Sequence, residues 1–281
     1  MNILYVVSRP LEINTSASIR NRATIEGLLE LGHSVDLLTT EYDKNHANYD
    51  NSLSSNSLNV RYLKLGGIQD LLKVGRRFNL AQPIKTFAYR MISKFEIYDN
   101  LKGIANYASK INISDDNYDM IISSSDPKSS HLFVSKMFEK RIIKNTYWIQ
   151  IWGDPFLEDI TRKNKLLNYI IKKEEKRLLR YAKKVVYVSN LTLLTQQRLY
   201  PQFSMKMFYE AIPYAKKLIY PVEQKYKESL TFLYCGDYSS SVRDIKPLYE
   251  AIKNSNNKLI ICGNSNIKLE DTDRIKIFSR V

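Results

Sequence analysis

The feature that most constrains this chain is an alternation that begins at its first residues. Ile3 to Val7 is a continuous apolar run ending at Ser8; from Ala23, Ile25, Leu28, Leu29 and Leu31 recur at helical spacing before Gly32, and Val35 to Leu38 follows as a second apolar run. Strand, helix, glycine turn and strand in that order make a βαβ unit, whose crossover demands a parallel sheet with helices on its faces. The same rhythm returns at Tyr118–Ser123, Thr146–Trp152 and Val185–Ser189, and again at Leu230–Tyr234, each run ending in small or polar residues. A length of 281 residues with 44% hydrophobic content is enough for one large or two ordinary domains with a real core.

Several classes are set aside by composition. No stretch of 18 apolar residues exists to span a bilayer, and the short apolar run after Met1 lacks the basic region of a signal peptide, so it reads as a first strand. These features predict a cytoplasmic protein. Cys235 and Cys262 each close an apolar run, which predicts two buried, reduced thiols at strand ends and no metal or disulfide pair. The formal charge of +14 calls for an anionic partner, whether nucleic acid, acidic lipid or a phosphorylated substrate, unless the lysine excess is only a compositional habit.

In parallel α/β sheets, ligands meet the carboxyl ends of the strands. Ser8 to Ser18 reads as a long hydroxyl-rich loop after the first strand, which places Ser8, Arg9, Thr15, Ser16, Ser18 and Arg20 there. The absence of G-x-G-x-x-G after that strand disfavours a dinucleotide-dependent dehydrogenase. The run SSSDPKSSH at Ser123–His131 puts Ser125 at a second strand end and His131 on the first turn of a helix, either as an acid, base or ligand-binding group or as a structural helix start. Gly153-Asp154-Pro155 stops a third strand, so Asp154 either accepts a proton or hydrogen bond from a substrate hydroxyl or caps a helix before Phe156.

Between these runs, Glu41–Asn59 reads as a polar surface loop and Asn59–Leu65 as a strand. Ile68–Ile111 reads largely as helices, divided at Pro83, with Arg76, Arg77, Lys85, Arg90, Lys94 and Lys102 interleaved among apolar residues. The densest basic run, Arg162–Lys184, carries Leu166, Leu167, Ile170, Ile171, Leu178 and Leu179 as a helical stripe with the charges opposite. Such basic helices either lie on an anionic membrane face or are simply solvated on one side. Near Phe208–Tyr220 the pattern changes to a strand ending at Pro213 and then a connection. This puts a boundary between Pro221 and Ser229 and predicts domains at 1–222 and 223–281.

The second domain opens with Leu230–Ile252, LTFLYCGDYSSSVRDIKPLYEAI. It reads as a buried strand, a small-residue loop, and a helix marked by Ile245, Leu248, Tyr249 and Ile252. Amide groups at the start of such a helix favour an anion, although most strand–loop–helix units bind none.

Taken in order, several phrases resemble the GT-B glycosyltransferases of the family 4 type, retaining enzymes that move a sugar from a nucleotide-sugar donor to an acceptor. They are GHSVDLLT after Arg20, SSSDPKSSH, WIQIWGDPF at Trp148–Phe156, AKKVVYVSN at Ala182–Asn190, AIPYA at Ala211–Ala215, the Leu230–Ile252 stretch, and KLIICGN followed by RIKIFSRV. The resemblance implies two Rossmann-like domains, an acceptor-side N-terminal domain and a C-terminal domain that holds the donor nucleotide. It assigns Gly236, Asp237, Ser239, Arg243, Lys246 and Gly263 to the donor phosphates and nucleotide, with Arg243 matching one member of a basic pair; Asp237 or Tyr238 stands at the other position, so either Lys246 substitutes or the pair is incomplete. Ser8, Ser16, Ser18, Arg20 and Ser125 fall on the acceptor side, with Asp154 and His131 as the catalytic candidates. Many members carry a histidine where Gly153-Asp154 stands here, and glycines where Thr15–Ser18 stand. The resemblance implies no metal, no cofactor beyond the nucleotide sugar, and a glycan or lipid-linked acceptor; the basic helices would hold the chain near an anionic membrane surface at the inner face, and nucleic acid, which would also answer the +14 charge, has no motif behind it and is not expected as a partner. The family's later strands and its pair of glutamates seven residues apart have no counterpart after Val281, which is read as an incomplete second domain. The competing reading is a non-catalytic, membrane-associated binding or assembly subunit.

Overall fold

The computed structural model describes residues 1–46, 48–54, 58–65, 96–159, 165–213, 229–240, 243–265 and 267–279. The chain divides into two compact units, Met1–Leu218 and Ile219–Val281. The first is built on a parallel sheet of β1 (Asn2–Val6), β2 (Ser34–Thr40), β3 (Asn59–Leu63), β4 (Met120–Ser124), β5 (Tyr147–Trp152), β6 (Lys184–Tyr187) and β7 (Met207–Tyr209), in the order β3-β2-β1-β4-β5-β6-β7. Its helices among the described residues are α1 (Ser16–Glu30), α2 (Ser129–Glu139), α3 (Asn168–Leu179) and α4 (Asn190–Leu199).

Both faces of the sheet are covered, which is why its strands read as unbroken apolar runs. Along β1, Leu4 and Val6 point into a core that also holds Ile121, Trp148, Phe133, Met137, Ile171 and Leu178, while Ile3 and Tyr5 point into a second core with Val35, Leu37, Ile122 and Ile25 of α1. The order reverses direction between β1 and β4, and that crevice at the strands' carboxyl ends is where ligands bind in sheets of this class.

Several expectations change here. Helix α1 starts at Ser16, seven residues before Ala23, because Thr15 caps it: its Oγ1 accepts from Ser18 N at 3.2 Å, and Ser18 Oγ donates to Ile13 O at 2.6 Å. The loop is therefore shorter than Ser8–Ser18, and Ser16, Ser18 and Arg20 are helical. No helix begins at Asp154; residues 153–158 form bends and turns. The stripe on α3 is narrower than expected. Leu167, Ile171, Leu178 and Leu179 are buried, whereas Leu166 (87% exposed), on the 3₁₀ turn Lys165–Leu167, and Ile170 (51%) face solvent beside Tyr169 (78%). From the 68–111 stretch, the described part holds a 3₁₀ helix, Lys102–Tyr107, that carries Lys102; Arg76, Arg77, Pro83, Lys85, Arg90 and Lys94 lie outside the described residues.

The second unit pairs β8 (Thr231–Cys235), β9 (Lys258–Cys262) and β10 (Ile275–Phe278) in the parallel order β10-β9-β8, with α5 (Lys246–Lys253) packed on β9 and β10. Leu259, Ile261, Ile275, Tyr249 and Ile252 form its core. Strand β8 exists as expected but is not buried, since Phe232 is 40% and Leu233 64% exposed. Among the described residues β8 pairs only with β9, and α5 covers the other two strands. For the same reason Cys235 is exposed and Cys262 half-buried, both as free thiols, in place of the buried pair expected.

Candidate functional site

In the first unit the carboxyl ends of β4 and β5 bring together residues 105 to 134 positions apart in sequence from α1. Arg20, 8% exposed, reaches across the crevice so that Nη2 donates to Ser125 O, and its Nε makes no hydrogen bond. Ser125 Oγ accepts from Gly153 N at 3.1 Å. Asp154 N lies 3.4 Å from Asp126 Oδ2, and the buried Lys128 ion-pairs with Asp126 Oδ1. The Arg20 side chain lies close over Gly153: a Cβ there would stand 2.7 Å from Arg20 Nη1 and 3.1 Å from Asp126 Oδ2, so these side-chain ends would have to shift. Partial burial, and then the negative charge of Asp126, push the Asp154 carboxyl above its ordinary value, with Lys128 working against them. The result is a pair of carboxylates between a guanidinium and an ammonium, with Asp154 on the exposed rim.

The loop that carries Asp154 is fixed from beneath. Glu175 of α3 is fully buried, and it accepts from Phe156 N at 3.0 Å, Leu157 N at 3.1 Å and Tyr200 Oη at 2.8 Å.

The other sequence candidates fall into two groups. Ser8 is spent inside the protein: its N donates to Ser130 Oγ at 2.9 Å, and its hydroxyl meets those of Ser129 and Ser130 at 2.8 and 3.1 Å. The Ser18 hydroxyl is likewise used in the α1 cap, while Ser16 is exposed on the first turn. His131 is wholly enclosed, with Nδ1 2.7 Å from Ser123 Oγ and its ring 4.4 Å from that of Trp152. Burial, then the charges of Lys128 and Arg20, hold it well below the usual histidine range and therefore neutral. Because Trp148 Nε1 donates to the same Ser123 Oγ at 2.8 Å, the serine proton is directed to Nδ1. In this arrangement His131 ties α2 to β4 and β5 and touches no solvent.

Asp126 and Lys128 were not singled out from the sequence, although they sit inside the SSSDPKSSH run. The signal that finds them is the adjacency of β4 and β5, which sets Asp126 against Asp154. A polar cavity of about 300 Å³, lined by Asn2, Ser34, Asp36, Arg61 and Tyr118 among others, opens at the opposite, amino-terminal ends of the strands and includes none of these residues.

The second unit has its own strand-end loop. Gly236 has φ +142° and follows β8 directly; Gly263 follows β9, and a Cβ on it would sit 2.0 Å from Gly236 O. Two glycines thus let the backbones of the two strand ends close on each other. Asp237 Oδ1 accepts from Asn264 N at 3.1 Å, and Ser239 and Arg243 bridge through their backbones at 3.2 Å. Arg243 reaches back toward Gly236, its Nη1 3.8 Å from where a Cβ would be, and neither its guanidinium nor the exposed Lys246 ammonium has a hydrogen-bond or ion-pair partner among the described residues. Among those residues no group of three or more His, Cys, Asp or Glu could hold a metal, and no helix is long and apolar enough to cross a membrane.

No protein-family model and no curated protein matches the chain. Solved structures do. The chain aligns over 100% of its length with 68% of the lipopolysaccharide outer core galactosyltransferase WaaB in its apo form, at 10% identity and a TM-score of 0.51. It aligns over 100% with 70% of Anabaena Alr3699/HepE in complex with UDP and glucose, at 11% identity and 0.53. An alpha-glucosyltransferase in complex with UDP-glucose and DNA containing an abasic site gives 9% identity and 0.54, over 100% of this chain and 68% of that one. The chain has the Rossmann-like α/β fold of GT-B glycosyltransferases.

Proposed function

We propose that this chain is a glycosyltransferase that moves a hexose from a nucleotide-sugar donor to a glycan or lipid-linked acceptor in polysaccharide assembly, of the retaining, family 4 type that its ordered phrases resemble. The observation that carries this is the loop of the second unit, where glycines clear the backbone and Arg243 and Lys246 stand without partners. A planar guanidinium meets two phosphate oxygens at once, and cations fixed beside a diphosphate stabilise it as the glycosidic bond breaks. These side chains supply the charge, so the reading includes no metal. Asp154, made more basic by partial burial and then by the charge of Asp126, receives the hydrogen bond or proton of the acceptor hydroxyl, and Arg20 orients that end of the acceptor.

The same reading places the protein in the cytoplasm, at the inner membrane face and apart from nucleic acid. On α3 the exposed Tyr169 and Ile170 precede exposed Lys172, Lys173, Lys176 and Arg180, a pattern that suits an anionic lipid surface. Sedimentation with anionic vesicles, lost in high salt and in a Lys172→Glu/Lys173→Glu/Lys176→Glu variant, is expected; equal sedimentation with neutral vesicles would count against it.

The donor site is tested by thermal shift with UDP, GDP and ADP. One of them should raise the melting temperature, and Arg243→Ala should weaken that response more than Lys246→Ala. No response to any nucleoside diphosphate would overturn the reading.

A further inference from the structure

One cluster outside both loops lies at the same carboxyl edge of the first sheet. Tyr42 follows β2, Tyr62 is the penultimate residue of β3, and Tyr49 lies on the segment that bridges to Ile13 beyond β1. The Tyr42 and Tyr49 rings stack at 5.4 Å and 19°, and Tyr62 meets Tyr42 edge-on at 5.6 Å and 71°. None of the three belongs to the hydrophobic cores of the described residues; Tyr62 is 39% exposed and the others are half-buried. Three half-solvated rings therefore share a rim with Arg20 and Asp154 rather than serving the interior.

Against them stands Glu12, only 4% exposed. Tyr62 Oη donates to its Oε1, while Oε2 has no hydrogen-bond partner and no cation pairs with the carboxylate among the described residues. That oxygen is not among the polar atoms shut off from solvent, so a donor arriving from outside can reach it. The loop that carries it is rigid: Asn14 N donates to Asn48 O at 2.7 Å, Asp50 N to Glu12 O at 2.8 Å, and Asn14 Nδ2 to Asp50 Oδ2 at 3.2 Å. Aromatic faces beside a fixed carboxylate acceptor match the two sides of a pyranose, its C–H face and its hydroxyl edge.

We propose that Tyr42, Tyr49 and Tyr62 with Glu12 form a pyranose-binding subsite, in which a sugar of the acceptor stacks on the tyrosines and donates a hydroxyl hydrogen bond to the open oxygen of Glu12. Its role as an acceptor subsite rests on the transferase reading above, but sugar binding itself does not. Strands β1 to β3 neighbour one another and β1 borders β4, so the subsite holds a sugar some strands away from the Asp126–Asp154 pair, as an acceptor longer than one residue requires.

The test is saturation-transfer NMR on the full chain without nucleotide, using methyl α-glucopyranoside, methyl α-galactopyranoside and N-acetylglucosamine as probes and choline as the cationic alternative. At least one pyranoside should receive saturation on its ring C–H protons. Glu12→Gln, which keeps the side-chain shape, should weaken that binding by about ten-fold, and Tyr62→Phe by less, since the ring remains while the hydroxyl that orients Glu12 is lost. Transfer to none of the pyranosides, transfer undiminished in Glu12→Gln, or preference for choline would each overturn the proposal. Pyranoside binding in a chain that ignores every nucleoside diphosphate would keep the subsite and sink the transferase reading alone.

Discussion

Replacing Glu175 tests how the Asp154 loop is held. The carboxylate is fully buried, takes three hydrogen bonds from Phe156 N, Leu157 N and Tyr200 Oη, and has no ion-pair partner among the described residues. Leucine in its place leaves three donors without an acceptor, each costing about 1–3 kcal/mol. Against this, a buried charge is removed, and burial is the leading reason that the carboxyl is pushed above its ordinary value. Removing the buried charge brings the net loss for Glu175→Leu to or just below the low end of that sum, about 2–4 kcal/mol, and for Glu175→Gln to about 1 kcal/mol, because the amide oxygen still accepts one bond. The pH dependence has a definite sign. A carboxyl raised in the folded state adds stability that is complete below its unfolded value and is lost as pH rises through the folded value, so Glu175→Gln should flatten stability just above the ordinary carboxylate range. Trp148 and Trp152 are the only tryptophans and both lie in the first unit, so urea unfolding followed by tryptophan fluorescence reads this unit alone. Hydrogen exchange at Phe156 and Leu157 should rise in both variants. A loss below about 1 kcal/mol in Glu175→Leu, with those amides still protected, would refute the argument.

The glycines give a contrasting pair. Gly153→Ala should displace the Arg20 guanidinium and cost about 1–3 kcal/mol as an overpacked site, whereas Gly27→Ala, inside α1 with nothing within 4 Å of the new methyl, should gain about 0.4–1 kcal/mol, both by urea titration. Gly263→Ala puts a methyl 2.0 Å from Gly236 O, and should abolish any nucleoside diphosphate response while tryptophan-detected unfolding of the first unit is unchanged. Burial and, second to it, the Asp126 charge raise Asp154, so in Asp126→Asn carboxyl-carbon NMR should find the Asp154 midpoint lower than in the unaltered chain; an unmoved midpoint would show that burial alone sets it.

The sheet was legible because burial on both faces writes continuous apolar runs, and β1, β2, β4, β5 and β6 fall within a residue or two of them. The start of α1 was not. Ser16-Ala17-Ser18-Ile19-Arg20 offers little apolar periodicity, and its helicity rests on the Thr15 cap. In α3, paired apolar residues look like one stripe. A turn of 3.6 residues sends Leu167 and Ile171 inward and their neighbours Leu166 and Ile170 out. The pairing of Asp126 with Asp154 depends on strand order, which no local pattern encodes, so one member of the pair was visible and the other was not. The exposure of β8 has the same origin, since apolar content marks a strand and says nothing of what lies beside it.

Arg20 separates what holds this crest together from what the crest is for. Its guanidinium is nearly buried, donates to one carbonyl, leaves Nε without a partner and pairs with no carboxylate among the described residues. Taking a charge out of water costs several kcal/mol, and a single carbonyl bond offsets only about 1.5–3 kcal/mol of it. A side chain of similar reach without the charge should therefore fold at least as well: Arg20→Met is expected to leave urea stability unchanged or to raise it by about 1 kcal/mol. On the transferase reading proposed above, glycosyl transfer should fall sharply in the same variant, because that reading sets the Arg20 charge against the acceptor. If Arg20→Met instead loses more than about 2 kcal/mol, the bond to Ser125 O is a structural strap, and Arg20 has to be taken out of the site.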